Sequence, residues 1–280
     1  MGRLRRTFWI ALAFWLAAGP ARPEKPDLWF PVGEKLFYKI NWGVLLVGNA
    51  VVWTEWIREN DRDLLAIRLT IQTTALMDKI YPVNDFVESI VVPETFLPLR
   101  FMRNASEGRY RLHEVTEFNH AKKTATWKHL LKDKTEDFKI EADTRDILSF
   151  MFYARSKKFE PGTNYLYQVM ADEKIYDLDV QTLKMERFFL SNYGWVRSLK
   201  LEPVSKFNGL FVRTGRAFMW VSDDSRRLCT KATVAVPVAR VKAYLKRVEG
   251  PGADFWVKPD DFKDYDKARE KEDAENDDKD

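Results

Sequence analysis

A chain of 280 residues with 45% hydrophobic side chains is large enough to bury a core without a metal or disulfide staple. Its 12 glycines and 12 prolines exclude collagen-like repeats and wholesale disorder, while 14% aromatic residues favour pleated, half-buried surfaces. The net charge of +4 includes Arg3, Arg5 and Arg6 at the extreme N-terminus, and without a nucleic-acid motif such a balance gives no reason to expect a nucleic-acid partner.

These three arginines precede an uncharged run, residues 7–18, which has the length of a signal-peptide core and falls short of a bilayer span. Residues 1–21 therefore read as a signal peptide, cleaved after Ala21, that sends the chain to the periplasm. No stable membrane span is expected after cleavage. Residues 22–32 read as an N-terminal linker. A β-rich unit follows over 33–250, in halves 33–142 and 160–250.

Alternating apolar and polar residues over 50–57 and 65–72 predict two long strands. The polar tetrapeptide Glu59-Asn60-Asp61-Arg62 between them predicts an antiparallel hairpin. Strand-like runs recur at 85–92 and 97–103, and a further hairpin at 109–118 and 124–131 turns around residues 119–122. Asp146 supplies an N-cap for a helix over 146–158, in which Ile147, Phe150, Met151 and Ala154 share a face. After Pro161-Gly162, strands resume at 165–170, 174–180, 183–190, 195–201, 215–222, 227–236 and 238–248.

About twelve antiparallel strands with one central helix predict a mainly β fold. A sheet of this size curls, so the architecture is a half barrel or open barrel with the helix against its concave face. Residues 258–280 hold eleven acidic side chains against six basic ones, and the segment 251–280 reads as a solvated, disordered acidic tail. Cys229 is the only cysteine; no intramolecular disulfide can form, and its place in a strand-like run makes it a core thiol.

Gly33-Glu34-x-Leu36-x-Tyr38-x-Ile40-x-Trp42-Gly43 and Val47-Gly48-x-Ala50 resemble the bacterial exported family catalogued as domain of unknown function 3108. The likeness continues through Asp85-x-Val87-Glu88-Ser89, Pro98-x-Arg100, Asp146-x-Leu148-Ser149-x-x-x-Tyr153-x-Arg155, Pro161-Gly162 and Trp220-x-Ser222-x-Asp224-x-Arg226-Arg227. It departs near residues 238–241, where a glycine is expected. What the resemblance implies is a periplasmic β-rich protein without an assigned activity. The unit at 92–100 is also similar to the strand, turn, strand element of periplasmic lipoprotein carriers, a fold-level analogy.

Nucleophile-elbow, zinc-protease and phosphate-loop signatures are absent from the sequence. His113 and His129 fall on paired strands with His120 in their turn; this spacing matches no metal motif, and neither a metal nor a cofactor is expected. Asp223, Asp224, Arg226 and Arg227 form a polar turn, the one set on which an envelope glycan or lipid hydrolase could rest. Asp85 and Glu88 fall on opposite faces of one strand, which argues against joint acid/base work. The aromatic residues Trp42, Trp53, Trp56, Phe150, Tyr153 and Trp220 are candidates to line an apolar site in the concavity. The function expected is non-catalytic binding or shielding of a lipid-like or other apolar envelope molecule. The alternative is an assembly factor that contacts another envelope protein.

Overall fold

A computed structural model describes residues 25–171, 173–205, 216–236 and 239–253. The expected signal peptide over 1–21 and the acidic tail beyond Ala253 lie outside the described residues, as do Val238 and its neighbour at the expected glycine. One antiparallel sheet of fifteen strands organises the rest, with a single parallel pair at one edge. Its first half comprises β1 (Lys35–Trp42), β2 (Leu45–Glu59), β3 (Arg62–Thr73), β4 (Asn84–Val92), β5 (Leu97–Glu107), β6 (Tyr110–Asn119), β7 (Thr124–His129) and β8 (Lys134–Lys139). The second half comprises β9 (Arg145–Asp146), β10 (Asn164–Ala171), β11 (Lys174–Leu190), β12 (Gly194–Ser205), β13 (Ala217–Ser222), β14 (Cys229–Val236) and β15 (Ala239–Glu249). Each half is a meander of local pairings. The seam is β1 against β15, where Lys35 pairs with Glu249 and Trp42 with Val241.

Fifteen strands correct the expected twelve. β1, β8 and β9 are additional, and the runs at 174–180 and 183–190 are one strand with a bulge between Thr182 and Met185. The sequence of β8, Lys-Thr-Glu-Asp-Phe-Lys, lacks an apolar stripe because it is an edge strand, and β9 is only two residues long. The sheet does not close into a barrel. Its edges are bridged by side chains: Lys134 meets Glu173 at 3.0 Å, and the Glu141 N–H donates to Gln168 Oε1 at 2.9 Å.

Asn60 and Asp61 both take positive φ, 48° and 60°, the backbone of a two-residue type I′ turn that Asn and Asp tolerate better than most residues. Hairpin β2–β3 is therefore set locally. The main helix, α2, follows a short α1 (Ala75–Asp78) that sequence periodicity did not reveal. α2 runs Ile147–Ala154, one turn shorter than the expected 146–158. Asp146 caps its start, accepting from Leu148 N at 2.8 Å and Ser149 N at 2.9 Å. At the other end Arg227 Nη1 donates to the Arg155 carbonyl at 3.0 Å, occupying the acceptor that another helical turn would use.

α2 packs against β3, β4, β9 and β10 within the curl of the sheet. Leu148 and Phe152 join the core formed with Val52, Leu65, Ile67 and Val87, while Phe150 packs with Val169, Leu178, Val180 and Leu201 of the second half. Of the segment expected as a linker, Leu28, Trp29, Phe30 and Val32 are part of this core. Trp29 Nε1 donates to the Phe152 carbonyl at 2.7 Å, its ring lies 4.6 Å from Phe96, and Phe30 is buried.

Strand directions give the sheet two unlike rims. The lower rim collects the turns at 60–61, 93–96, 120–123, 191–193 and 223–228, together with Gly33 and Gly250. A Cβ on Gly250, whose φ is +81°, would stand 2.5 Å from the Gly33 carbonyl oxygen, so glycine is required where the chain leaves the sheet. The upper rim collects residues 43–44, α1 and its flanks, 108–109 and 130–133.

Candidate functional site

Family-type motifs far apart in sequence converge on the two ends of α2. At its N-terminus the wholly buried Asp146 takes hydrogen bonds through Oδ2 from Ser89 Oγ at 2.6 Å and Ser149 Oγ at 2.7 Å, besides its capping bonds. Burial pushes the Asp146 carboxyl up from its ordinary range, opposed by these hydrogen bonds. At the C-terminus the wholly buried Glu34 is held between Arg155 and Arg226. Arg155 also donates through Nη2 to Glu34 Oε2 at 3.3 Å and through Nε to the Arg226 carbonyl at 3.1 Å. Two cations and one anion thus pin β1, α2 and the β13–β14 turn together.

The polar turn has structural duties. Asp224 Oδ1 accepts from the N–H groups of Arg226 at 2.9 Å and Arg227 at 3.2 Å, and Asp223 pairs with Arg197 at 3.3 Å. Arg226 is buried on Glu34, while Arg227 caps α2. Each of the four side chains thus has a contact that holds the turn or the helix.

Between α2 and the sheet lies an apolar cavity of about 90 Å³, walled by Leu36, Tyr38, Val52, Phe150, Val180 and Met219 among others. Tyr38 donates to the Cys229 carbonyl at 2.9 Å, and burial raises its hydroxyl pKa well above the usual value. Burial also pushes the Cys229 thiol, which stands on the cavity wall, up to about 12. A wider vestibule of about 370 Å³ opens next to it at the lower rim, lined by Lys157, Glu160, Met185, Arg197, Asp223 and Arg227. The two spaces share Phe159, Val221 and Arg227. Lys158 pairs with Glu160 at 3.6 Å, whereas Lys157 lies over the Tyr153 ring at 4.4 Å and Arg227 donates only to carbonyl oxygens. Two cations without a carboxylate partner among the described residues therefore stand here, Lys157 in the vestibule and Arg227 at the junction.

Of the six aromatic residues expected to line the concavity, Phe150 lines this cavity. Trp53 points to the opposite face from its neighbour Val52 and packs near Phe86, and Trp220 is turned away from the cavity that Met219 and Val221 line. Trp220 Nε1 instead donates to Glu186 Oε2 at 2.6 Å. Trp42 is 46% exposed at the upper rim, Trp56 packs on the core beneath Lys25, and Tyr153 faces Trp29 and the Arg145 guanidinium, 3.6 Å from its ring. Sequence reasoning missed Glu34, Leu36, Tyr38 and Arg155 as site residues, although all four stand in the motifs quoted above. His113 and His129 project to opposite faces, because His129 pairs with Glu114 and not with its neighbour His113. Among the described residues no group of three or more His, Cys, Asp or Glu side chains could hold a metal ion.

The match of a family model over residues 38–246, three-quarters of the chain, decides the relationship: it describes a protein of unknown function (DUF3108). The chain belongs to the DUF3108 family. No curated protein matches it. Among solved structures, the beta-barrel-like protein of domain of unknown function DUF1849 from Brucella abortus is similar at TM-score 0.52 and 10% identity, covering 78% of this chain and 97% of that one. That likeness is one of fold alone. In this DUF3108 chain the motif residues Glu34, Ser89, Asp146, Ser149, Arg155 and Arg226 pin α2 over the apolar cavity.

Proposed function

We propose that the protein is an exported, non-catalytic binding module for an amphiphilic envelope molecule. An apolar group enters the cavity beneath α2, and the polar head stays in the vestibule beside Lys157 and Arg227. The observation that carries this reading is the shared wall of Phe159, Val221 and Arg227 between a largely apolar space and a polar, partly cationic one. The vestibule volume falls within the range of about 300–1,000 Å³ common for small-molecule sites, whereas the cavity alone admits only a slim group. Export is read from the sequence of residues 1–21, and the periplasm is the compartment this reading assigns.

The rival reading, an assembly factor that adds a strand to a partner, is weakened by the sheet edges. β8 is charged along its length and β9 has two residues, both poor templates for strand addition. A hydrolase reading gains no support from Asp223, Asp224, Arg226 and Arg227, whose contacts are structural. Native mass spectrometry and solvent extraction of the protein purified from its own envelope test the proposal. A bound amphiphile supports it; protein that is ligand-free from that source, and that takes up no fatty acid or phospholipid on incubation, overturns it.

A further inference from the structure

Twelve large apolar side chains stay exposed among the described residues, and ten of them, all in the first half of the sheet, lie at or near the upper rim, whereas Leu166 and Val204 share a register row through Asp179 in the second half. The ten centre on the β1–β2 hairpin, where Trp42, Val44, Leu45 and Leu46 are exposed and Val44 is wholly so, at 101%. The segment around α1 stands beside this hairpin: Thr74 N–H donates to the Val47 carbonyl at 2.9 Å, and α1 touches both β2 and β3. It adds Leu76, Ile80 and Tyr81. Tyr81 in turn packs over Gly108 of the β5–β6 turn, where Tyr110 is exposed, and Leu130 and Leu131 extend the arc at the next hairpin. The lower rim, by contrast, is built from polar turns.

A monomeric soluble protein gains nothing from collecting its exposed apolar side chains at one end, and hydration opposes it. The charges on the same arc indicate what covers it. Lys79, Arg109, Arg111 and Lys132 are exposed and have no carboxylate partner among the described residues; Arg111 donates only to the Gly108 and Tyr110 carbonyls. Projecting Trp, Tyr and aliphatic side chains flanked by unpaired cations are complementary to an anionic bilayer surface, whose headgroups meet the cations while the apolar tips enter the acyl boundary.

We infer that the upper rim is a membrane-docking surface for anionic lipid, with the β1–β2 hairpin as its leading element. The protein then sits end-on, with the vestibule facing away from the bilayer. The inference is independent of any ligand in the cavity.

Co-sedimentation of the full chain with phosphatidylcholine vesicles, with and without phosphatidylglycerol, tests it. The wild type binds the anionic vesicles, roughly tenfold more strongly than the neutral ones, and added salt weakens the binding. Val44→Asp with Leu45→Asp, at exposed positions, lowers binding to anionic vesicles by at least roughly tenfold. Lys79→Glu with Arg109→Glu lowers it on anionic vesicles only, and Leu166→Asp, in the other half of the sheet and away from this arc, leaves it unchanged. Residues 7–18 are identical in all variants, so binding through that run cancels from the comparison. Circular dichroism establishes that each variant is folded. Equal binding by the hairpin variant and the wild type overturns the inference, as does indifference to lipid charge. A hairpin-dependent self-association in the ultracentrifuge, without vesicle binding, assigns the rim to a second copy and overturns it too.

Discussion

Glu34 and Arg155, 121 residues apart in sequence, form a buried ion pair at the point where the first strand enters the sheet and the central helix ends. Arg226 completes the cluster from the β13–β14 turn. Removing the anion leaves two guanidinium groups buried without their counter-charge. Glu34→Ala is expected to cost about 3–5 kcal/mol in urea unfolding. Arg155→Met on that background is expected to cost much less than Arg155→Met alone, since the two residues act as one unit. Additive effects in that cycle would show that the pair does not hold the helix.

Asp146 carries a pH signature. Burial holds its proton more tightly in the folded chain than in the unfolded one, so the folded state binds more protons. Its contribution to stability is fully present below the unfolded carboxylate pKa and declines as the pH rises from about 4 towards the raised folded value. Asp146→Asn keeps an N-cap acceptor and is expected to flatten this decline. Glu107, raised by burial and by Asp85, supplies a residual slope of the same sign. Asp146→Ala, which strips the cap and leaves Ser89 without its acceptor while Ser149 keeps only the residue-146 carbonyl, is expected to cost about 1–3 kcal/mol. Unfolding midpoints across pH 4 to 8, roughly the window set by the carboxylate pKa, distinguish the two variants.

The Cys229 thiol, held up at about 12 by burial, is expected to resist alkylation by iodoacetamide at neutral pH in the native protein and to react promptly after unfolding in urea. Rapid native labelling, followed by mass spectrometry, would mean that the cavity wall opens readily.

Two substitutions probe the cavity in opposite directions. Ala154→Leu places extra carbon into the space and is expected to reduce uptake of an apolar probe with a stability change within about 1–3 kcal/mol. Phe150→Ala enlarges the same space, and about 3–5 kcal/mol of stability should be lost while probe binding rises. Fluorescent fatty-acid titration with parallel denaturation measures both. Unchanged binding in the two variants would separate ligand uptake from this cavity.

Local patterns in the sequence determine much of this protein. Alternation sets strands β2 and β3, Asn60-Asp61 sets their turn, and Asp146 starts the helix, because each rests on neighbours a few residues away. The family is legible for a related reason: its motifs are short and ordered along the chain. What those residues touch is not local. The seam between β1 and β15 pairs Lys35 with Glu249, and only that pairing brings Glu34 to Arg226 and closes the two meanders over one helix. The same holds for the aromatic residues. Trp53 and Trp220 satisfy any composition argument for an apolar site, yet the pleat turns each away from neighbours that pack on the core or line the cavity. The apolar rim was equally hidden, because Trp42, Ile80 and Tyr110 belong to separate turns until strand direction gathers them at one end. Sequence determined the elements and their caps through short-range chemistry; tertiary structure alone decided which faces meet, since burial and pairing act between residues that the chain holds far apart.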